Sequence, residues 1–416
     1  MMEPWQKCLL GDVITLKRGY DLPSRERQNG DVPVVSSSGI TGFHDEIKAK
    51  APGVVTGRYG TLGEVFYLES DFFPLNTTLY VCDFKGNNAR FISYLLKTLN
   101  LGHKNVAAAV PGLNRNDLHL LPVCKPDLKT QKQIADILST YDRLIENNTR
   151  RIKILEEMAQ LLYREWFVNF RFPGHEDVKL VESAIGLIPE GWEVKTIGCS
   201  LSHYIGGGWG QEKADEKHTV PAYVIRGTDI PSARHVSLGN CPLRFHTSSN
   251  FKSRKIKAGD IIFEVSGGSK GQLVGRSLLI SSQMISSFSE DVICASFCKL
   301  MRVSLDVITP EILYLLLGEM YGDGRIEKHQ VQSTGITNFK FTQFLDGELI
   351  VIPPKELQNK FSQTMNPMFD LIQNLGSKNS NLRQTRDLLL PKLISGEIDV
   401  EALDFGRLEM GETIAA

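Results

Sequence analysis

Three segments carry residue types that could do chemistry, and each lacks something that the chemistry requires. Asn366-Pro367-Met368-Phe369 is similar to the Asn/Asp-Pro-Pro-aromatic site of amino-methyltransferases, but it has no second proline and no glycine-rich cofactor loop upstream. Asp260 and Glu264 are spaced like the metal ligands of a nuclease, yet Ser266 stands where such an enzyme has a lysine. Residues 206–210 are glycine-rich without the Lys-Ser/Thr ending of a phosphate-binding loop. We therefore predict that the chain is not an enzyme.

The sequence also gives no support for a metal site. His44-Asp45-Glu46 and His203 do not have the spacing of metal ligands. The 7 cysteines never form a Cys-x-x-Cys pair, and although Cys294 and Cys298 would share one helical face, no histidine lies near them in the sequence. We expect reduced, structural cysteines and no cofactor in this chain.

Composition limits the function classes further. The chain has 416 residues, and its 47 Lys and Arg against 48 Asp and Glu leave a formal net charge of -1. This balance excludes a globally basic nucleic-acid binder but leaves room for local basic faces. The first residues show no signal-peptide pattern, and the longest apolar run, residues 312–317, is far short of the roughly 20 residues that span a bilayer. We expect a cytoplasmic protein of two or three domains without membrane contact.

Residues 131–167 predict one long helix, because they contain no glycine or proline and many strong helix formers. Apolar residues recur there at alternating steps of four and three, which is typical of a coiled coil. Asn148 is the one polar interruption, and we expect it to fix the helix register. The residues of this seam are Ile134, Leu138, Tyr141, Ile145, Asn148, Ile152, Leu155, Ala159 and Leu162.

A second copy of the helix follows 227 residues later, with 7 identities in register that include Gln131 with Gln358. Pro367 and Gly376 fall inside this copy, so we expect it to kink or restart near Pro367. Pro391 should end or bend it. The seam of the second copy consists of Phe361, Met365, Met368, Ile372, Leu375, Leu382 and Leu389, with Asn379 as its polar interruption.

The segment that precedes each helix is repeated as well. Trp5 and Trp192 open the two copies, and residues 53–68 and 259–280 both have the pattern of a β-hairpin. Gly112 and Gly335 each lead a polar segment near the end of a copy, and a proline follows before the helix. The predicted order is a β-rich domain (1–125), a helix (126–170), a connector (171–190), a second β-rich domain (191–353), a second helix (354–400) and a tail (401–416).

This duplicated order resembles the specificity subunits of type I restriction–modification systems. The resemblance implies an α+β fold with two β-rich target-recognition domains, separated by two long antiparallel coiled-coil helices in an internal pseudo-twofold repeat. It covers the chain to about residue 400. It depends on the two opening tryptophans, Arg58-Tyr59-Gly60-Thr61-Leu62-Gly63, the segments led by Gly112 and Gly335, Thr130-Gln131-Lys132-Gln133-Ile134, and the closing Leu388-Leu389-Leu390-Pro391-Lys392-Leu393-Ile394-Ser395-Gly396-Glu397-Ile398.

The resemblance implies a non-catalytic subunit that binds a bipartite, asymmetric double-stranded DNA target. Its implied partners are two methyltransferase subunits and the restriction/translocase subunits, to which S-adenosylmethionine, Mg²⁺ and ATP would belong. Roughly 37 helical residues span about 55 Å, or about one and a half turns of duplex, so domains at the ends could reach separated half-sites. The alternatives are a coiled-coil adaptor or dimeric DNA-binding regulator acting without a modification enzyme, and a self-contained methyltransferase or nuclease.

Base reading requires hydrogen-bonding groups on exposed loops, with cations for phosphate. For Arg58 a DNA contact and a solvated charge are equally good interpretations, whereas the hairpin glycines are expected to form turns. Basic residues on the helices face the DNA, an acidic partner or solvent; they are Arg150, Arg151, Lys153, Arg164, Arg383, Arg386 and Lys392. The candidate DNA contacts are Ser36, Ser37, Ser38, Arg58, Tyr59, Thr61, Asn76, Thr77, Thr78, Lys104, Asn114 and Arg115 in the first domain, and Arg226, Thr228, Ser266, Ser269, Lys270, Arg276, Thr337, Asn338 and Lys340 in the second.

Overall fold

A computed structural model describes residues 5–103, 112–236, 238–239, 241–267, 272–333 and 335–401. The described residues divide into two compact units. Unit 1 comprises those of Met1–Ile145 and Leu382–Ala416, and unit 2 those of Glu146–Asn381. Each unit contains part of both long helices, so this division does not coincide with the predicted boundaries between domains and helices.

Unit 1 combines a four-stranded and a three-stranded sheet with short helices. The strands described in it are β1 (Gln6–Leu9), β2 (Thr15–Arg18), β3 (Val32–Ser36), β4 (Gly39–His44), β5 (Gly53–Gly57), β6 (Val65–Leu68), β7 (Phe73–Pro74), β8 (Thr78–Asp83) and β9 (Pro122–Lys125). The helices are α1 (Leu10–Val13), α2 (Ala89–Thr98), α3 (Arg115–His119) and the first part of α4 (Leu128–Tyr163), with 3-10 turns at Ser24–Glu26 and Leu101–His103. The sheets have the orders β2-β8-β5-β6 and β4-β3-β7, and β1 pairs with β9.

Alternate residues of β5 face two cores, because successive side chains of a strand point to opposite faces. Val54 belongs to the larger core, in which Ile134 and Leu138 of α4 are fully buried. Val55 packs in a smaller core with Phe72 and Tyr80. In unit 1 the long helix is therefore part of the hydrophobic core.

Unit 2 also contains a four-stranded sheet, together with two three-stranded sheets. The strands described in it are β10 (Leu180–Ser183), β11 (Gly186–Pro189), β12 (Glu193–Thr196), β13 (Leu201–Gly206), β14 (Val220–Ile225), β15 (Leu243–His246), β16 (Ile261–Glu264), β17 (Ser266–Gly267), β18 (Ser277–Leu279), β19 (Val292–Cys294), β20 (Cys298–Val303), β21 (Gln330–Ser333), β22 (Ile336–Phe339) and β23 (Leu349–Ile352). The sheets have the orders β13-β20-β16-β18, β15-β14-β19 and β17-β22-β21, and β10 pairs with β11 and β12 with β23.

The helices of unit 2 begin with the second part of α4, which passes into a π-helical turn. The further helices are α5 (Ile230–Ala233), α6 (Ser248–Arg254), α7 (Ser282–Ser286), α8 (Pro310–Gly322), α9 (Phe341–Gly347) and the first part of α10 (Lys355–Ser395). The π-helical turn is Arg164–Val168, and 3-10 turns lie at His175–Asp177, Ile197–Ser200, Gly227–Asp229 and Glu327–His329. Aromatic residues of the π-helical turn pack on Trp192 and Phe361 in the main core of this unit.

The two units repeat one topology. The predicted hairpins are confirmed as β5 with β6 and β16 with β18, and each lies at the edge of a four-stranded antiparallel sheet. In each unit a three-stranded sheet contains one parallel pair, β3 with β7 and β14 with β19. A Cβ on Gly19 would lie 2.2 Å from the carbonyl oxygen of Leu75, and one on Gly207 would lie 2.1 Å from that of Ala295. The same close backbone approach therefore requires glycine at both places.

A buried glutamine lies near the start of each long helix. Gln131 donates to the carbonyl oxygen of Pro126 at 3.0 Å, and Gln358 donates to that of Pro353 at 2.8 Å. Both side chains span the same five-residue separation, and both glutamines are 2% exposed. The repeat predicted from the sequence thus extends to individual hydrogen bonds.

The predicted helices are present, with corrections at two prolines. α4 begins three residues before the predicted start, and α10 continues through Pro367 and Pro391, so the expected restart at Pro367 and the expected end at Pro391 are wrong. A proline removes one backbone hydrogen bond, and burial of the seam on both sides of Pro367 favours helix continuity. A Cβ on Gly376 would lie 2.2 Å from the carbonyl oxygen of His235, so this glycine makes room for a neighbouring loop.

Within each unit, segments of α4 and α10 pack against one another in opposite directions. In unit 2, Asn148 donates to Asn379 at 3.0 Å, and Ile152 packs with Ile372 and Leu375. In unit 1, Arg386 and Asp142 form an ion pair of 2.6 Å, and residues nearer the start of α4 pack with residues nearer the end of α10. Every residue of the predicted seams is buried or half-buried.

Among the described residues, no helix has both the length and the apolar content that crossing a membrane requires.

Candidate functional site

The first hairpin site is the cluster around the turn between β5 and β6, formed by Ser37, Arg58, Tyr59, Thr77 and Asn114. The backbone N–H groups of Arg58 and Tyr59 both donate to the carbonyl oxygen of Thr77, at 2.8 and 3.2 Å. The N–H of Leu113 donates to the carbonyl oxygen of Arg58 at 3.0 Å, which brings the segment before α3 to the hairpin.

The guanidinium of Arg58 lies over the ring of Tyr59, with its central carbon 4.4 Å from the ring centroid. The ring of Tyr59 is tightly packed on Gly112, where an added Cβ would lie 2.3 Å from a ring carbon. Within the described part of the chain, no carboxylate forms an ion pair with Arg58. The first hairpin site therefore presents a cation on an aromatic platform to solvent.

The second hairpin site is the cluster around the end of β16 and the start of β18, formed by Glu264, Ser266, Arg276, Phe297 and Asn338. The N–H groups of Val265 and Ser266 both donate to the carbonyl oxygen of Phe297, at 2.9 and 3.2 Å. The N–H of Phe339 donates to the carbonyl oxygen of Val265 at 2.8 Å. These bonds match those of the first hairpin site one by one.

This match corrects the sequence alignment of the two glycine-led segments. Leu113 and Phe339 are equivalent by their hydrogen bonds, so the counterpart of Gly112 is Asn338 and not Gly335. Gly335 lies at the turn between β21 and β22, with a φ of 79°, a backbone conformation that favours glycine. The side chain of Asn338 instead accepts a hydrogen bond from Ser266 at 2.6 Å.

A buried ion pair lies at the base of the second hairpin site. Arg276 donates two hydrogen bonds to Glu264, at 2.6 and 2.9 Å, and the two side chains are 15% and 4% exposed. The bonds to Glu264 raise the pKa of the Arg276 guanidinium above its ordinary value. Arg226 is held in the same manner by Asp229, at 2.7 and 2.9 Å. Both arginines thus have their charge compensated within the protein.

A cleft of about 590 Å³ opens beside this ion pair. Its walls are largely apolar and contain three large side chains that are well exposed, Trp209, Phe297 and Ile336. The sequence interpretation missed all three. The aromatic residue within the glycine-rich segment 206–210 was the available signal for Trp209, whereas nothing in the local sequence marks Phe297 or Ile336 as exposed.

The structure brings many of the predicted DNA-contact residues together in these sites. Thr78 is fully buried and donates to the carbonyl oxygen of Leu75 at 2.7 Å, so it supports a turn. Arg115 and Lys340 are exposed and lie at the starts of α3 and α9, and Lys104, Ser269 and Lys270 lie outside the described residues. Those around the first site are Ser36, Ser37, Ser38, Arg58, Tyr59, Thr61, Asn76, Thr77 and Asn114, and those around the second are Arg226, Thr228, Ser266, Arg276, Thr337 and Asn338.

Within the described ranges, no three His, Cys, Asp or Glu side chains are grouped so that they could hold a metal ion. What the two hairpin sites offer is recognition chemistry: hydrogen-bonding groups, the half-buried guanidinium of Arg58 stacked on Tyr59, and an apolar cleft.

Comparison with known proteins gives consistent matches. Residues 2–157 match the model of the type I restriction modification DNA specificity domain. The type I restriction enzyme MjaIX specificity subunit of Methanocaldococcus jannaschii is 27% identical over 335 residues, which cover 76% of this chain and 70% of the relative. The HindI specificity subunit of Haemophilus influenzae is 24% identical over 353 residues, covering 69% and 71%.

Among solved structures, the S subunit of a type I restriction-modification system from M. genitalium matches with a TM-score of 0.60. The match covers 94% of this chain and 96% of that one at 15% sequence identity, so it establishes similarity of fold.

Proposed function

We propose that the chain is a specificity subunit of a type I restriction–modification system and recognises a bipartite, asymmetric double-stranded DNA target, because its matches in sequence and in fold are to such subunits. The chain is non-catalytic. The first hairpin site reads one half of the target and the second hairpin site reads the other half. Methyltransferase and restriction/translocase subunits, which hold S-adenosylmethionine, Mg²⁺ and ATP, assemble on it.

One observation in particular supports two separate DNA-recognition sites in this chain. The two hairpin sites share their backbone hydrogen bonds but differ in the side chains that those bonds position. Arg58 and Thr77 in the first site correspond to Val265 and Phe297 in the second. A repeated backbone with unlike side chains suits recognition of two unlike base sequences, because sequence is read by side chains at base edges.

The helices supply the spacing in this proposal. Two β-rich target-recognition domains, 1–125 and 191–353, are separated by α4 and α10 as an antiparallel coiled coil with an internal pseudo-twofold. The hydrogen bond between Asn148 and Asn379 supports a fixed register, since a polar pair in an apolar seam is lost if one helix slides.

Two copies of one partner are supported by apolar side chains that recur on both helices. Leu144 and Leu161 of α4 are 45% and 56% exposed, and their counterparts Leu371 and Leu388 in α10 are 37% and 62% exposed. Exposed leucines at repeated positions of a charged helix favour a protein partner bound once by each copy. We assign the exposed leucines of each helix to contacts with the methyltransferase subunits.

Co-expression with the methyltransferase subunit of the same host tests the proposal. We expect a complex of two methyltransferase subunits per chain, measured by native mass spectrometry, and methylation of one bipartite target in the host methylome. Absence of the complex together with an unchanged methylome after deletion of the gene would favour an adaptor or regulator. Methyl transfer by the purified chain alone would show a self-contained enzyme.

Exchange of residues 1–125 for the same domain of a relative should change one half of the methylated target and leave the other. Insertion of one heptad into both α4 and α10 should lengthen the spacer between unchanged half-sites. A change in both halves would contradict the proposal that each domain recognises one half-site. An unchanged spacer would contradict the proposal that the helices set the distance between the half-sites.

A further inference from the structure

The cleft of the second hairpin site gathers exposed apolar side chains in one place. Trp209 is 41% exposed, Phe297 is 55% exposed and Ile336 is 40% exposed, and all three line the same cavity of about 590 Å³. Exposed large apolar residues are common singly, but their convergence on one concave surface indicates a binding surface. The ring of Trp209 also carries the guanidinium of Arg244, 5.1 Å from its centroid.

The charges around the cleft disfavour phosphate as its ligand. Among the described residues, the arginines of its wall are Arg276 and Arg226, and Glu264 and Asp229 hold them by two hydrogen bonds each. The Nε–Nη2 edge of each guanidinium, one of the two edges that could grip O6 and N7 of a guanine, is therefore already engaged with a carboxylate. A ligand that carries an apolar group and few charges matches this surface better.

We propose that the second hairpin site reads the methyl-bearing edge of thymine, with Phe297 as a specificity-determining residue. This inference rests on the proposed function. In the major groove thymine presents its C5 methyl group and the O4 acceptor. The apolar wall formed by Trp209, Phe297 and Ile336 receives the methyl group. The exposed hydroxyl group of Thr228, which lines the same cleft, faces the polar atoms of the base pair.

Replacement of thymine by deoxyuridine tests this directly, because deoxyuridine keeps the base pair and lacks only the methyl group. The assembled complex with methyltransferase subunits is titrated with target duplexes that carry one replacement at a time. Half-sites are assigned beforehand by the domain exchange described above. We expect dissociation constants to rise about three- to fivefold for at least one thymine of the second half-site, from the loss of one buried methyl group. Replacements in the first half-site should change them less than about twofold, because that site presents a cation.

Phe297→Ala should abolish the deoxyuridine effect, so that the variant binds both duplexes equally. Leu305→Ala is the matched control, since Leu305 is 63% exposed in the same unit and does not line the cleft. It should leave the effect intact, and thermal unfolding of both variants in the complex checks that they fold.

Three results would overturn the inference: no thymine of the second half-site responds, an unpaired base at the responsive position strengthens binding, or Phe297→Ala releases the methyltransferase subunits. The last two would assign the cleft to an extrahelical base or to a protein. Failure of the assembled complex to bind any specific duplex would contradict the proposed function itself.

Discussion

The first and second hairpin sites have the same backbone and opposite chemical character. In both, two backbone N–H groups that follow the first strand of the hairpin donate to one carbonyl oxygen. A segment near the end of the β-rich region then donates one N–H to the same part of the hairpin. The N–H of Gly57 donates to the carbonyl oxygen of Glu64 at 3.1 Å, and that of Glu264 to Arg276 at 2.9 Å. A glycine and an exposed glutamate thus stand where the second site has a buried ion pair.

This difference shows which part of the fold can change and which cannot. The shared hydrogen bonds join backbone groups, and backbone groups are the same for nearly all residue types. Side chains at the turn can therefore be replaced without loss of the scaffold, provided that each buried charge gains a partner. One topology can in this way support a cationic site and an apolar one.

Removing the carboxylate of the ion pair should have the largest effect on stability. Glu264→Ala leaves the guanidinium of Arg276 buried without its partner, and we expect unfolding free energy to fall by about 3–5 kcal/mol. Chemical denaturation followed by circular dichroism measures it. Glu64→Ala at the equivalent hairpin of the first site is the control and should change stability by less than about 0.5 kcal/mol. A loss of under about 1 kcal/mol for Glu264→Ala would mean that the pair is solvated.

Gly376→Ala should cost about 3 kcal/mol, because the new Cβ would lie 2.2 Å from a backbone oxygen of the loop at His235. Gly347→Ala is the matched control, since a Cβ there meets no atom within 4 Å. Thermal unfolding of both variants compares them. Equal melting temperatures would show that the loop can move aside.

Replacing Gln131 and Gln358 tests how much each of these equivalent side chains stabilises the fold. Gln131→Ala should cost about 2 kcal/mol, because it removes bonds to Asn87, Asn88 and Pro126. Gln358→Ala should cost about 1 kcal/mol, because Gln358 bonds only the carbonyl oxygens of Val307 and Pro353 among its described neighbours. Denaturation midpoints give the order. The reverse order would show that the number of side-chain hydrogen bonds does not decide how much each glutamine stabilises its helix start.

Arg58→Ala should have the smallest effect and should act on recognition rather than on folding. We expect a loss of about 1 kcal/mol of discrimination at a single base pair of the first half-site, with stability unchanged. Arg58→Lys keeps the charge but not the forked donors, so it should restore non-specific affinity and not discrimination. Selection of bound duplexes by each variant complex measures both. Altered preference in the second half-site would break the assignment of sites to half-sites.

Periodicity and spacing predicted much of the fold. The heptad steps from Ile134 to Leu162 predicted α4, because an apolar stripe of this period is stable only as a packed helix. The repeat of Gln131 at Gln358 predicted a second copy. In the structure each of the two side chains donates an equivalent hydrogen bond to a proline carbonyl oxygen five residues earlier. The expected end of the helix at Pro391 was mispredicted, since local propensity does not include the burial that stabilises a helix from outside.

The chain's own sequence determined its duplicated order of β-rich segments and helices, because local hydrophobic patterns and turn residues are written in consecutive residues. Only the tertiary structure decided which side chains are available for recognition. Arg58 and Arg276 are the same residue type in equivalent hairpins, yet one is stacked at the surface and the other is bound to Glu264. The ion pair joins Glu264 at the end of β16 to Arg276 just before β18, and the cleft joins Trp209 to Ile336 across more than a hundred residues. Both therefore depend on how separate segments fold together.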